Sequence, residues 1–301
     1  MSSVLSTVVK GKVYTPDLVV IYGVDGVGKS TFASQAPNPI FVGSEKGTAN
    51  MDVARLPSVN TFHDVMNAIK ALTEDQHDYK TLAIDSLDWL EPLVWDAVCR
   101  EAGAPNIEAA FGGYGKGYVA ANKLWAEMMT KLSALRETKK MAIVLIAHAQ
   151  VKAFNDPQQN ATYDRYQLKL NEKASALWRE YADCVLFANF EVYTKQNDKK
   201  KTIAMGDGTR LIYTERRPGY DAKNRYGLPS TLPLDWNAYA QSRLTGSPEK
   251  PEIVLATLKE LVAQVTDASL KTKIEESIKN AGNEITKLLV IRNRIRTLLN
   301  Q

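Results

Sequence analysis

The chain has 301 residues and a formal net charge of +4, from 38 Lys and Arg against 34 Asp and Glu. This length allows a substantial buried core, and no apolar run approaches the ~20 residues of a membrane span, so we expect no membrane partner. The mild positive charge permits a polyanionic partner without requiring one. The wide spacing of Cys99 and Cys184 argues against a disulfide framework or a zinc site, and it suits a reducing cytoplasm.

Short apolar runs alternate with helical segments in the first half of the chain, which predicts an α/β fold with a mostly parallel sheet flanked by helices. The predicted strands are short and predominantly apolar, as in strands buried on both faces, and comprise residues 18–22, 40–42, 81–84 and 142–146. The predicted crossover helices comprise residues 29–36, 61–72, 87–101 and 118–136. Residues 183–215 are rich in Val, Ile, Tyr and Thr, which predicts antiparallel strands added to the sheet edge.

The C-terminal part has a different pattern. Turn-forming residues at 245–248, followed by Pro251, predict a linker over 245–252, between a core of residues 1–244 and a helical tail of residues 253–301. Apolar residues recur at helical spacing in the tail. We expect these apolar stripes to pack on the core or on one another rather than to bind a ligand.

A phosphate-binding motif follows the first predicted strand. The run Gly23-Val24-Asp25-Gly26-Val27-Gly28-Lys29-Ser30 matches G-x-x-x-x-G-K-[ST] between a strand and a helix. In this motif, the glycines let backbone N–H groups surround a phosphate at the positive end of the helix. Lys29 is expected to reach the β- and γ-phosphates of ATP and Ser30 to ligate Mg²⁺, and Thr31 completes the predicted nucleotide-binding set.

An acidic residue, Asp85, follows the apolar strand predicted at 81–84. In a P-loop sheet, this position lies beside the metal, so Ser30 and Asp85 are the predicted Mg²⁺ ligands. An Asp at a strand end is commonly only a turn former, and the assignment therefore depends on its combination with the P-loop.

With the P-loop and Asp85 in this order, the chain resembles RecA-like ATPases rather than kinases or small GTPases. Glu45 follows the strand predicted at 40–42, where RecA-like proteins carry the carboxylate that orients the attacking water. His148, with Gln150 two residues on, follows the strand predicted at 142–146, where the resemblance implies a γ-phosphate sensor. Without the resemblance, a solvated Glu and a structural His are the simpler interpretations.

A third element of the resemblance is Ala222-Lys223-Asn224-Arg225-Tyr226-Gly227, which is similar to the K-x-R-x-G segment that DnaB-like and KaiC-like subunits insert into a neighbour's ATP site. The resemblance implies that Lys223 and Arg225 act in trans, where a cation stabilises the charge of the transition state. A basic turn without a partner is the alternative.

Two segments occupy the positions of the DNA-binding loops of RecA-like recombinases and mix aromatic residues with cations. The first, residues 111–118, contains Tyr114 and Lys116, and the second, residues 151–173, contains Lys152, Arg165, Tyr166 and Lys169. Stacking on aromatic faces and cations along the backbone are the means by which proteins hold single strands. A glycine-rich turn that caps the following helix is the alternative for the first segment.

Over residues 15–240, the ordered motifs resemble the compact RecA-core ATPases of phages and prophages, including the Sak-type single-strand annealing recombinases. The resemblance implies an ATPase that uses ATP and Mg²⁺, binds single-stranded DNA and assists annealing or strand pairing. It also implies a homo-oligomeric ring or filament with ATP between subunits, in the host bacterial cytoplasm, with a single-strand-binding protein as a further candidate partner. The shorter core and different tail separate the chain from full-length RecA. A DnaB-like or KaiC-like motor and a non-hydrolysing nucleotide switch remain as alternatives.

Overall fold

The structure is a computed structural model that describes residues 8, 15–43, 50–156, 161–196, 202–245, 251–265, 267–282, 287–288, 291–292, 294–295 and 298. Its strands are β1 (Leu18–Gly23), β2 (Pro39–Val42), β3 (Ala54–Arg55), β4 (Thr81–Ile84), β5 (Ala142–Asp156), β6 (Ala161–Leu168), β7 (Cys184–Phe190), β8 (Tyr193–Gln196), β9 (Thr202–Met205), β10 (Arg210–Tyr213), β11 (Lys223–Asn224) and β12 (Thr231–Pro233). Its α-helices are α1 (Lys29–Ser34), α2 (Phe62–Glu74), α3 (Leu87–Ala102), α4 (Lys116–Lys139), α5 (Glu172–Tyr181), α6 (Trp236–Thr245), α7 (Pro251–Ala263) and α8 (Ala268–Ala281).

Ten of these strands form one sheet, in the order β12-β10-β7-β1-β5-β4-β2-β3, with β11 paired to β7 and β6 to β5. Strands β1, β2, β3, β4, β5 and β7 are mutually parallel, whereas β6, β10, β11 and β12 run antiparallel to their neighbours. Strands β8 and β9 form a separate hairpin. The predicted α/β fold with a mostly parallel sheet and antiparallel edge strands is confirmed.

The orientation of β7 differs from the prediction for residues 183–215. Strand β7 is parallel to β1, with Val19 opposite Cys184; the antiparallel strands of this segment are β8 and β9, which pair with each other, and β10, which pairs with β7. A short apolar run indicates a buried strand but carries no information on its direction. Direction depends on the connection, and here α5 precedes β7 as a crossover helix.

Both faces of the sheet are buried. Along β1, Val20 and Tyr22 belong to a core cluster shared with α2, α3, α4 and α5, while Val19 and Ile21 belong to a second cluster shared with α1, α6, α7 and α8. Successive side chains of a strand point to opposite faces, so a strand covered on both sides is apolar throughout. This arrangement explains the unbroken apolar runs of the sequence.

The C-terminal helices α7 and α8 bury part of their apolar stripes. Leu258 of α7 and Ile274 of α8 belong to the same cluster as Phe32 of α1. The expectation that these stripes pack on the core is therefore confirmed for the described residues. The division at residues 244 and 252 stays a prediction.

Strand β5 is much longer than the run predicted at residues 142–146. Its parallel pairing with β1 ends where Gly23 lies opposite His148, and β5 then continues to Asp156, paired antiparallel with β6. The predicted loop over residues 151–173 is thus wrong in its conformation: the described residues form an antiparallel hairpin followed by the start of α5. This hairpin extends β5 beyond the carboxyl end of β1.

Within the described ranges, every helix is too short or too polar to span a lipid bilayer.

Candidate active site

The predicted P-loop connects the carboxyl end of β1 to α1. Gly26 and Gly28 have φ angles of +70° and +108°, a region in which side chains are strained, and Gly28 is the N-cap of α1. Gly23 lies against β7, where a Cβ atom would collide with the carbonyl oxygen of Ala188. Val27 is fully buried and anchors the loop in the second core cluster. The loop therefore has the compact, glycine-dependent shape that a phosphate cradle requires.

Lys29 is buried within this loop. Its Nζ atom donates hydrogen bonds to the carbonyl oxygens of Gly23 and Val24, both at 3.0 Å, and the residue is only 5% exposed. The ammonium group is thus fixed inside the cradle rather than solvated. Thr31, the last residue of the predicted nucleotide set, is exposed on the first turn of α1.

Ser30 and Asp85 meet as the two motifs predicted. The Ser30 hydroxyl donates to Oδ2 of Asp85 at 2.6 Å. Burial raises the pKa of Asp85, an effect opposed by the hydrogen bond from Ser30 and by the positive charge of Lys29. A hydroxyl and a carboxylate are hard oxygen ligands, and Mg²⁺ commonly takes one or two protein oxygens and completes its shell with phosphates and water. The pair therefore fits Mg²⁺.

His148 lies beside the P-loop, although β5 does not end there. Its ring Nδ1 is 2.8 Å from Oδ2 of Asp88, its backbone N–H donates to Oδ1 of Asp88 at 2.9 Å, and its Nε2 is 3.8 Å from Oδ1 of Asp25. Burial alone would raise the pKa of Asp88, but the hydrogen bonds from the ring and the backbone N–H of His148 outweigh it and lower that pKa. Asp88 thus holds the imidazole with one ring nitrogen directed toward the P-loop.

Asp88 was missed in the sequence. It lies in the first turn of α3, three residues after Asp85. An acid at this point of a helix is common, because it interacts favourably with the helix dipole, so its pairing with His148 has no linear sequence signal. Glu45, the predicted water-orienting carboxylate, lies outside the described residues.

Lys223 is occupied within its own chain. Its Nζ donates to the carbonyl oxygens of Arg179, Glu180 and Ala182 at 2.8, 2.7 and 2.6 Å, so it caps the C-terminus of α5. A role in a neighbour's site would cost these three bonds. The prediction for Lys223 is therefore corrected to a structural role that stabilises the carbonyl end of α5.

Arg225 differs from Lys223 in being 57% exposed, with Nη1 3.6 Å from Oδ1 of Asp183. Strand β11 pairs with Val185 and Cys184, at the amino end of β7, whereas the P-loop lies at the carboxyl end of the sheet. Arg225 thus lies at the opposite end of the sheet from the P-loop of its own chain. Any contact with a nucleotide requires a second subunit.

The predicted DNA-contacting residues divide into two groups. Tyr114 is fully exposed, and Lys116, Lys152 and Lys169 are also exposed. The structure therefore leaves these four side chains available to a partner.

Arg165 and Tyr166 form the second group and require correction. Arg165 is 2% exposed and forms an ion pair with Asp221 at 2.7 Å, while the Tyr166 ring packs on Phe187 with centroids 5.1 Å apart. Successive side chains of β6 point to opposite faces, so these two residues are held by different contacts, which the assumption of a loop concealed. Both residues stabilise the fold.

A cleft of about 400 Å³ opens beside the His148–Asp88 pair, between α3 and the junction of β6 with α5. Its lining residues include two tryptophans and several polar groups: Asp88, Trp89, Glu91, Trp95, Gln150 and Lys169. The side chain of Trp89 is among the exposed large apolar groups. Sequence reasoning missed this cleft because its two walls are far apart in the chain.

Comparisons with known proteins agree with this geometry. Residues 15–226, well over half of the chain, match the family described as AAA domain. The chain is also similar to the SPbeta prophage-derived uncharacterized protein YorG of Bacillus subtilis (strain 168), with 25% identity over 151 residues. That match covers 49% of this chain and 44% of the relative, so the chain spans less than half the length of the relative.

Proposed function

Since the chain belongs to the AAA domain family of P-loop NTPases, we propose that it is a phage or prophage ATPase that acts on single-stranded DNA in recombination, by annealing or strand pairing. The observation that carries the ATPase assignment is the 2.6 Å hydrogen bond between Ser30 and Asp85 at the base of a complete P-loop. Two motifs that are distant in sequence bring together there a hydroxyl and a carboxylate, the kinds of oxygen ligand that Mg²⁺ prefers. The phage context is supported by the prophage-derived relative.

Each residue of the site has a distinct task in this proposal. The P-loop N–H groups and Lys29 bind the β- and γ-phosphates, and Ser30 and Asp85 hold the metal ion. Bound Mg²⁺ supplies charge neutralisation on the phosphates. His148, oriented by Asp88, contacts the γ-phosphate region and transmits its occupancy along β5 to the hairpin formed by β5 and β6.

Single-stranded DNA is proposed to bind near the carboxyl end of the sheet. The exposed ring of Tyr114 and the exposed cations Lys116, Lys152 and Lys169 support this. Base stacking on an aromatic ring contributes ~1–3 kcal/mol per base, and cations add a salt-dependent term. The hairpin that carries Lys152 starts beside the P-loop, which gives the DNA and nucleotide sites a common element.

The ATPase assignment is tested with Lys29→Ala. We expect this variant to lose MgATP hydrolysis, because the γ-phosphate loses its cation, while thermal unfolding remains cooperative. Phosphate release is measured with and without single-stranded DNA. Lys70→Ala is the matched control, since Lys70 is exposed on α2 and pairs only loosely with Glu74, at 3.9 Å. Undiminished turnover in Lys29→Ala would refute the site.

The DNA assignment is tested with two lysines at opposite ends of α4. Lys116→Gln should weaken binding of a labelled oligo-dT by several-fold and reduce the salt dependence of binding, whereas Lys140→Gln, at the C-cap of the same helix, should change neither. Tyr114→Ala should weaken binding by about fivefold or more at every salt concentration. Equal affinities across all variants would contradict the proposed surface.

A further inference from the structure

Arg210 lies beside the phosphate cradle of its own chain, next to Gly28, although 182 positions separate the two residues in sequence. It is the first residue of β10 and lies opposite Phe190, the last residue of β7. Strand β7 neighbours β1, so this position is at the same end of the sheet as the P-loop. An atom at the Cβ position of Gly28 would be 3.2 Å from Nη1 of Arg210.

The backbone of Arg210 is well fixed while its charge is available. Its carbonyl oxygen accepts a hydrogen bond from the N–H of Leu234 at 3.0 Å, and its guanidinium lies 5.8 Å from the ring centroid of Phe190. The residue is exposed, and among the described residues no carboxylate pairs with the guanidinium within 4.0 Å. Arg165 and Arg243, by contrast, have an acid at 2.7 and 3.0 Å.

Gly28 fits this arrangement in two ways. Its φ of +108° disfavours a side chain, and the space that a Cβ atom would take is the space next to the guanidinium. The N–H groups around Gly28 are the ones expected to face a phosphate in a P-loop. A guanidinium is a planar fork of donors that matches phosphate oxygens, and it keeps its charge at any ordinary pH.

We propose that Arg210 is a nucleotide-binding residue that contacts the phosphates of a nucleotide held by the P-loop of the same chain. This inference rests on the proposed function, and it adds a cation in cis to the Arg225 contribution proposed in trans. Arg210 makes part of the phosphate affinity independent of assembly. The sequence did not reveal it, because a lone Arg at the start of a strand has no motif.

The test measures MgATP and MgADP affinity by calorimetry on wild type, Arg210→Gln and Arg210→Lys. We expect Arg210→Gln to weaken the binding of both nucleotides by about tenfold, as for loss of a charge-assisted hydrogen bond. If the contact is to the γ-phosphate, only MgATP binding should weaken. Arg210→Lys should recover part of the loss, and the wild-type advantage should shrink as NaCl rises. Arg100→Gln is the control, since Arg100 is an exposed arginine on α3 paired with Asp96 at 3.4 Å.

The outcomes separate the inference from the function on which it rests. Wild type that binds MgATP while Arg210→Gln binds both nucleotides within about twofold of it would overturn the role of Arg210 alone. Wild type that binds neither nucleotide would overturn the proposed function together with this inference. Thermal unfolding of each variant shows whether a loss of affinity reflects a loss of fold. If Arg210→Gln unfolds, the nucleotide affinity of Arg210→Lys, which keeps the charge, is compared with that of wild type instead.

Discussion

Glu91 is a buried carboxylate one turn after Asp88 in α3. Both of its oxygens lie close to the backbone N–H of Asn171, at 2.9 and 3.0 Å. Burial raises the pKa of Glu91 to about 7, and the negative charge of Asp88 adds to this effect, while the Asn171 hydrogen bond and Lys152 oppose it. Glu91 thus connects the helix that orients His148 to the first turn of α5.

This raised pKa predicts a specific pH dependence of stability. Below pH 4.5, the ordinary pKa of Glu, the Glu91 carboxyl is protonated in both the native and the unfolded state. Between that pH and about pH 7, only the native state keeps the proton. The contribution of Glu91 to stability is therefore present at low pH and is lost as pH rises through about 7, a loss of ~3 kcal/mol.

Glu91→Gln isolates this contribution, because glutamine does not titrate. We expect the difference in unfolding free energy, wild type minus variant, to fall by ~3 kcal/mol between about pH 4.5 and 8 and then to stay constant. Urea denaturation across this range measures it. If the unfolding free energies of wild type and Glu91→Gln change with pH in parallel, Glu91 has an ordinary pKa in the native state.

The residues of the site divide by whether their neighbours in space are also neighbours in sequence. Gly28, Lys29 and Ser30 act within one loop, so their spacing alone predicted their roles. Asp88 and Arg210 act through contacts between segments far apart in the chain, and no spacing encodes such contacts. Exposed cations and buried ion-paired cations likewise look alike in sequence.

At the scale of elements, prediction worked where burial is complete and failed where it is partial. Strand β4 was predicted with its observed bounds, Thr81–Ile84, because three of its four residues are apolar and all four are buried. The second half of β5 mixes apolar with polar residues, among them Lys152 and Asp156, and none of its residues from His148 onward is fully buried. Such a strand resembles a loop until its partner β6 is known.

Asp221 joins three of these elements. Its Oδ1 is 2.7 Å from Nη2 of Arg165 on β6, its Oδ2 is 2.8 Å from Nη1 of Arg179 on α5, and its carbonyl oxygen accepts from the Tyr22 hydroxyl of β1 at 2.6 Å. One carboxylate therefore neutralises a fully buried guanidinium and fixes the hairpin to the sheet.

Asp221→Asn should destabilise the protein by ~3–5 kcal/mol, because it leaves the buried charge of Arg165 without its acid. Glu215→Gln is the matched control: Glu215 pairs at 3.5 Å with Arg217, both side chains are about half exposed, and its loss should cost less than ~1 kcal/mol. Urea denaturation of both variants gives the comparison. If Asp221→Asn loses less unfolding free energy than Glu215→Gln, Arg165 is solvated or paired with another group.

At the scale of the whole molecule, the sheet separates two basic groups. Lys29 and Arg210 lie at its carboxyl end, and Arg225 lies at its amino end, beside Asp183. A head-to-tail assembly would bring the amino end of one subunit to the carboxyl end of the next, and such heterologous contacts build rings or filaments. The proposed ATP site between subunits requires this arrangement.

Mixing two inactive variants tests this arrangement directly. Lys29→Ala lacks a working P-loop but keeps Arg225, and Arg225→Ala keeps the P-loop but lacks the Arg225 guanidinium. We expect Arg225→Ala to bind nucleotide normally and to hydrolyse it slowly, because the transition-state charge loses its cation. If Arg225 acts in trans, random mixing restores full sites at about a quarter of the interfaces, so the mixture turns over more ATP than the average of the two variants measured alone. If Arg225 acts in cis or only stabilises the fold, no mixed interface gains both groups, and turnover of the mixture stays at that average at every protein concentration.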